Sequence, residues 1–236
     1  MGKAPSAKID EIRRLEVSVD SFLGKREGPY LYSLAQFGAK LGAVVEIGTY
    51  KGRSAIWLAK GAQAVGGQLV YTIDPHYGGS ESELRENISR SGLSSVVIPM
   101  VMPSMQALEN WKVPIGFLWI DGDHSYEGAR SDFYGWSRHV IEGGVLALHD
   151  TYSFEGVRKL VDEEILKLKG YRVLGQVDSI LALQKIQSMS VMDRARRYLT
   201  VRLRRIFNRA RVKRKHWRAL PRKLMRGLAK SGYSCE

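Results

Sequence analysis

From residue 43 to about residue 168 the chain alternates between short apolar runs and stretches with helical spacing. The apolar runs fall at 43–47, 69–73, 96–100, 115–120 and 143–149. The helical stretches fall at 53–64, 80–90, 103–110, 125–138 and 154–168. Strands separated by helices must be joined by crossovers, and crossovers make strands parallel. A sheet covered on both faces also accounts for strand runs that are apolar throughout. Two further apolar runs, 171–174 and 180–183, are separated only by residues 175–179. That loop is too short for a helical crossover, so the two pair antiparallel as a hairpin. The predicted fold class is therefore α/β, a doubly wound and mostly parallel sheet that ends in an antiparallel β-hairpin.

In open α/β sheets ligands sit beyond the carboxyl ends of the strands. The first strand leads into Glu46-Ile47-Gly48-Thr49-Tyr50-Lys51-Gly52-Arg53-Ser54. Gly48 permits a tight turn, and Gly52 lets the following helix start lie close to the strand or to a ligand. This Gly-x-x-x-Gly spacing is not the full dinucleotide fingerprint, because Tyr50 stands where the middle glycine belongs. The second strand ends in Asp74, 22 positions after Gly52, where an acid accepts hydrogen bonds from ribose hydroxyls. The fourth ends in Asp121-Gly122-Asp123-His124 and the fifth in His149-Asp150. Each has a plainer reading. The glycines can mark a simple turn, Asp74 a turn aspartate before Pro75, and Asp121 or Asp123 a helix cap. His124 can be a packed histidine, and His149 the maker of a structural hydrogen bond. His76 and His139 read as surface or loop residues, and Trp111, Trp119 and Trp136 as packing.

Taken together, E-I-G-T-Y-K-G-R-S, Y-T-I-D-P, L-W-I-D-G-D-H-S-Y and G-G-V-L-A-L-H-D resemble the class I S-adenosylmethionine-dependent methyltransferases, whose sheet is Rossmann-like. Among them the set is most similar to the metal-assisted O-methyltransferases, especially the bacterial branch acting on sugars and natural products. The resemblance covers roughly residues 28–185, terminal hairpin included. It implies that Glu46, Gly48, Gly52 and Ser54 border the methionine half of S-adenosylmethionine. It also implies that Asp74 binds the ribose, that Ser104 touches the adenine and that Asp121 borders the cofactor as well. Asp121 and Asp150 match carboxylates that hold a divalent cation. His124 matches a general base, and an imidazole suits proton removal near neutrality. His149, counted with Asp121 and Asp150 as a candidate ligand, departs from the family pattern. Histidine is a poorer ligand for Mg²⁺ and a better one for softer metals, so the identity of the cation stays open.

Charge divides the chain. Residues 187–236 hold 16 of the 37 Lys and Arg but only two acids, a net of +14. The remainder carries 21 bases and 22 acids, so the body is nearly neutral. We divide the chain into a helical segment 1–42, a cofactor-binding core 43–186 and a basic amphipathic helical tail 187–236. In the first segment the pattern predicts two helices separated by a break at Gly28-Pro29. In the tail Val191, Ala195, Leu199, Leu203 and Ile206 recur at helical spacing among arginines. A second apolar set follows at Trp217, Leu220, Leu224 and Leu228, with Pro221 inside it. Three readings suit such a tail: it lies on an anionic membrane surface, it binds RNA or an acidic glycan, or it is a packing or homo-oligomer segment with a solvated basic face. The single cysteine, Cys235, allows no disulfide within the chain. No leader-like run stands at Met1, and no run approaches the length of a membrane span. The expected location is cytoplasmic, with attachment to the inner face of a membrane through the tail.

The leading expectation is an O-methyltransferase whose acceptor is a hydroxyl on a sugar of a glycolipid, surface polysaccharide or natural product. The alternatives are an RNA methyltransferase and a non-catalytic membrane- or polyanion-binding protein on the same fold. A near-neutral core and the absence of a base-recognition motif argue against RNA. The acid and histidine set argues against a relic.

Overall fold

The structure, a computed structural model, describes residues 6–219. Two helices, α1 (Ser6–Glu16) and α2 (Glu27–Gly38), precede the first strand. The alternating unit follows as β1 (Ala43–Ile47), α3 (Arg53–Gln63), β2 (Val70–Ile73), α4 (Glu81–Arg90), β3 (Val97–Met100), α5 (Ser104–Glu109), β4 (Ile115–Ile120), α6 (Tyr126–Trp136), β5 (Val140–Leu148) and α7 (Glu155–Glu163). The hairpin is β6 (Tyr171–Val177) with β7 (Ile180–Lys185), and α8 (Val191–Ala219) comes last. The strands form one sheet in the order β3-β2-β1-β4-β5-β7-β6. The first five are parallel, and β7 runs antiparallel to both β5 and β6. This is the doubly wound, Rossmann-like sheet with a terminal hairpin that the pattern predicts.

Two details differ from expectation. Gly28 and Pro29 do not break a helix but occupy the first turn of α2. Proline is tolerated there because its missing N–H has no partner in the helix and its φ is already helical. The interruption lies instead between Glu16 and Glu27. The helix expected at 154–168 stops at Glu163 and continues as a short 3₁₀ turn, Ile165–Lys167. The tail segment with Leu220, Pro221, Leu224 and Leu228, and Cys235, lie outside the described residues.

The strands are apolar on both sides because each side meets helices. Phe117 and Trp119 of β4 join the core beneath α2 and α3, while Leu118 and Ile120 join the core beneath α6 and α7. Trp57, Trp119 and Trp136 are fully buried. Burying such a ring removes some 150–250 Å² from water, worth about 4–6 kcal/mol as an upper bound. Trp119 and Trp136 are packing residues, as expected, and so is Trp111, which is also buried. His76 is not a surface residue: it is buried, with Nδ1 2.8 Å from Ser80 Oγ.

α8 lies against the outer hairpin and is held by polar contacts. Arg204 is almost fully buried. Its guanidinium donates to Asp162 Oδ1 at 2.7 Å, Gln176 Oε1 at 2.9 Å and the Thr151 carbonyl at 2.7 Å. It also lies 4.3 Å above the Tyr152 ring. Arg197 donates to the carbonyls of Leu168 and Tyr171. No helix among the described residues is long and apolar enough to cross a membrane. Arg204→Met is expected to lower the unfolding free energy by about 2–3 kcal/mol in urea, because it strands several buried partners. Arg202→Met on the exposed side of the helix should stay within about 0.5 kcal/mol; equal effects would contradict the anchoring role.

Candidate active site

Cross-strand register assembles the site. Ile47 pairs with Ile73 on one side and Ile120 on the other, and Ile120 pairs with Leu148. The next residues, Gly48, Asp74, Asp121 and His149, therefore leave the sheet together at its carboxyl edge. This edge includes the β1–β4 boundary, where the strand order reverses and a crevice opens. Gly48 has φ +82°, and a Cβ there would collide with the Asp121 carbonyl oxygen. Gly52, at φ +88°, precedes α3, and a Cβ there would strike Leu84. Between them Tyr50 adopts the left-handed backbone itself, at φ +50°. Asp74 fastens this loop. Its Oδ2 accepts from the N–H groups of Thr49 and Tyr50, each at 2.9 Å, and its Oδ1 from His76 N–H at 2.7 Å.

Glu46 is fully buried beneath the loop. Its Oε2 accepts from Thr49 Oγ1 at 3.0 Å, while Oε1 has no partner. Burial pushes its carboxyl up to about 8, against the hydrogen bonds from Ser54 and Thr49, so it is protonated at neutral pH.

Asp121, His124 and Asp150 converge, each offering a ligand atom, with these atoms within 4.8 Å of one another. His124 Nε2 lies 3.1 Å from Asp150 Oδ2 and 3.6 Å from Asp121 Oδ1, yet neither contact has hydrogen-bond alignment. The ring stacks on Phe154 at 4.1 Å. Asp150 takes a left-handed backbone, φ +53°. The carboxylates of Asp121 and Asp150 push the His124 imidazole up to about 9, against its burial. Two carboxylate oxygens and an imidazole nitrogen make a donor set that fits a divalent cation of intermediate softness better than one demanding oxygen alone.

His149, expected as a metal ligand, is placed elsewhere. Its Nδ1 lies 3.0 Å from Asp121 Oδ1 and its Nε2 3.1 Å from Glu27 Oε2. Both ring nitrogens thus lie at carboxylates, and His149 is not among the three residues whose ligand atoms converge. Burial opposes its charge, but Asp121 and Glu27 hold the ring protonated, up to about 10. The position expected to ligate is occupied by a buried imidazolium, and His124 joins the two aspartates in its stead. Glu27 also accepts from Gly24 N–H at 2.7 Å and from Ser179 N–H and Oγ at 2.9 and 2.7 Å. It ties α2 and the β6–β7 turn to the end of β5.

A cavity of about 1030 Å³ opens over this edge. Gly48, Ser54, Asp74, Ser104, Asp121, His124, His149 and Asp150 all line it, whereas Glu46 and Gly52 stand behind its wall. Ser104 donates to Asp132 at the far side of the cavity. Burial raises the Asp132 carboxyl to about 6, against that bond. Asp123 is used locally, accepting from Ser125 N–H at 2.8 Å and Ser125 Oγ at 2.9 Å, at the start of α6. Sequence reasoning missed Glu27, Phe22, Tyr77 and Phe154. Phe22, Tyr77 and Phe154 are exposed aromatics lining the cavity from loops, where no periodicity announces a role.

Residues 45–151 match a family model described as a methyltransferase domain. A catechol O-methyltransferase of Niastella koreensis is 26% identical over 141 residues, covering 58% of this chain and 60% of that protein. The match thus spans only about 60% of that curated relative's length. An O-methyltransferase from Bacillus cereus in complex with SAH superposes with a TM-score of 0.57 at 22% identity, covering 77% of this chain and 92% of that one. TomG, an O-methyltransferase from Streptomyces achromogenes involved in tomaymycin synthesis and solved with SAM, gives 0.57 at 16% identity, covering 76% and 88%. The likeness to class I S-adenosylmethionine-dependent O-methyltransferases therefore stands in both sequence and fold. It does not single out the sugar-directed branch, and it favours neither an RNA enzyme nor a non-catalytic protein.

Glu27 gives a test of the buried charge pair. Burial opposes its ionisation, but His149 and Ser179 hold its carboxyl down at about 2, against an ordinary 4.5. A depressed carboxylate contributes stability above its unfolded pKa and loses it as pH falls toward the folded one. Glu27→Gln is expected to cost about 2–3 kcal/mol near neutrality. That gap should shrink as pH falls below about 4.5. Denaturant unfolding across pH measures it, and a gap that does not change with pH would contradict the pairing.

Proposed function

We propose that this protein is an S-adenosylmethionine-dependent O-methyltransferase with a divalent cation held by Asp121, His124 and Asp150. The observation that carries the reading is the convergence of these ligand atoms on the wall of a cavity that begins at the Gly48 loop. The methyl donor would lie across the β1–β4 crevice, its ribose beside Asp74. Its carboxylate would meet the free N–H groups at the start of α3. Its adenine would reach toward Ser104, and the unpartnered Glu46 Oε1 beneath the loop supports a polar group above it.

In the reaction the acceptor hydroxyl would give up its proton, to solvent water where a cation occupies the site or to the neutral His124 ring where none does; its oxygen would bond the methyl carbon, and the carbon–sulfur bond would break in line to leave S-adenosylhomocysteine. A cation at this site supplies a lowered hydroxyl pKa and a fixed direction of attack. His124 keeps its proton at neutral pH while only carboxylates face it, which makes it a weak base there. With a divalent cation held by Asp121, His124 and Asp150, the ring would have to be neutral and would serve as a third ligand. Its place in the cavity wall also supports the second reading, a metal-free enzyme with His124 as the base.

The acceptor we favour is a sugar hydroxyl on a glycolipid, surface polysaccharide or natural product. Phe22, Tyr77 and Phe154 supply flat apolar walls of the kind that enclose a ring. A catechol ring would use the same walls. A glycolipid would be met at the inner face of a membrane, where the basic tail would hold a cytoplasmic enzyme.

Calorimetry should show S-adenosylmethionine binding to the wild type and to Asp150→Ala alike. Mn²⁺ should bind the wild type with proton release and bind Asp150→Ala at least about tenfold more weakly. Labelled S-adenosylmethionine incubated with envelope glycan extracts and with catechol should label one class, and a chelator should abolish the transfer. No cofactor binding at millimolar concentration would sink the assignment. Transfer that survives chelation but not His124→Ala would replace the cation with the base.

A further inference from the structure

An amphipathic helix on a protein usually turns its apolar side inward, and α8 does the opposite. Arg197 and Arg204 point at the body, bonded to the carbonyls of Leu168, Tyr171 and Thr151. With about 3.6 residues per turn, Met192, Ala195, Leu199, Leu203 and Ile206 fall on the opposite side. All of these are exposed, Met192 at 77%, Leu199 at 57%, Leu203 at 56% and Ile206 at 63%. Exposed Arg194 flanks this stripe on one side, exposed Arg196 on the other also reaches back to the Val173 carbonyl at 3.4 Å, and exposed Arg202 lies on it, above the Tyr198 ring. The inward arginines fix the roll of the helix, so the stripe cannot turn under the body without breaking the Arg204 cluster.

We propose that the outward face of α8 is a docking surface for an anionic lipid bilayer, the apolar stripe entering the boundary between headgroups and acyl chains and the flanking arginines meeting lipid phosphates. The charge of the tail, net +14 over residues 187–236, matches such a surface. The two other occupants fit less well. A second copy of the chain would cover the stripe but bring two rows of arginines together. RNA would satisfy the arginines and leave the stripe in water. The inference rests on the helix alone and stands or falls apart from methyl transfer.

The test is co-sedimentation of the full chain with vesicles of phosphatidylcholine, with and without phosphatidylglycerol, in about 0.1 M salt. The comparison is Leu199→Asp/Leu203→Asp, which leaves Arg204 and its partners intact. Circular dichroism and S-adenosylmethionine calorimetry serve as controls for folding. The expected result is binding to the phosphatidylglycerol vesicles, at least tenfold weaker to phosphatidylcholine alone and at least tenfold weaker for the double variant. Three outcomes overturn it: no binding to anionic vesicles, binding that the double variant retains in full, or a dimer abolished by the double variant in a protein that ignores vesicles. Binding to an RNA oligonucleotide without vesicle binding overturns it as well.

Discussion

The site exists because four parallel strands end on one level. Ile47, Ile73, Ile120 and Leu148 are paired across three adjacent ladders. The row is fixed by packing on both faces, with Trp119 on one side of β4 and Leu118 on the other. A slip of β4 by one residue would send Trp119 and Leu118 to the wrong faces and turn Asp121 away from the crevice. Chemistry at the edge is thus protected by apolar register in the interior.

On that edge a buried run of charge, Glu27–His149–Asp121, sets the second constraint. Desolvating these groups is expensive, and an apolar replacement of matching shape would often be as stable. What the run supplies is placement. It joins the N-terminal helix α2, the end of β5 and the end of β4, and it fixes one oxygen of Asp121. The loop between α1 and α2, which contributes Phe22 to the cavity, is tethered to the same glutamate through the Gly24 N–H.

The strands and their end motifs were legible because each depends on local pattern: apolar runs, a glycine at a turn, an acid at a strand end. Asp121, His124 and Asp150 could be picked out as types, since carboxylate and imidazole at a sheet edge have few other uses. The resemblance paired Asp121 with Asp150, but that His124 and not His149 joins them was not readable. His149 differs from His124 in meeting a glutamate 122 positions away, and spacing along the chain carries no trace of that. Asp74 was readable as a polar edge residue, but not its hold on the N–H groups of Thr49 and Tyr50. The Gly28-Pro29 pair misled for a physical reason, because the same residues that end helices also begin them. For α8 the periodicity was plain but its polarity was not. Which face turns inward was decided by Asp162, Gln176 and Thr151, all on other elements.

The grip of Arg204 on Thr151 has a wider meaning. Thr151 adjoins Asp150, and the same short loop ends in Phe154, whose ring lies on His124. A load on α8 is therefore one residue removed from a carboxylate of the cluster. Thermodynamic linkage makes such traffic reciprocal. A ligand that displaced the helix and Asp150 with it would alter affinity inside the cavity, and a ligand whose binding in the cavity moved the same loop would alter, by the same factor, the hold of the helix on its support.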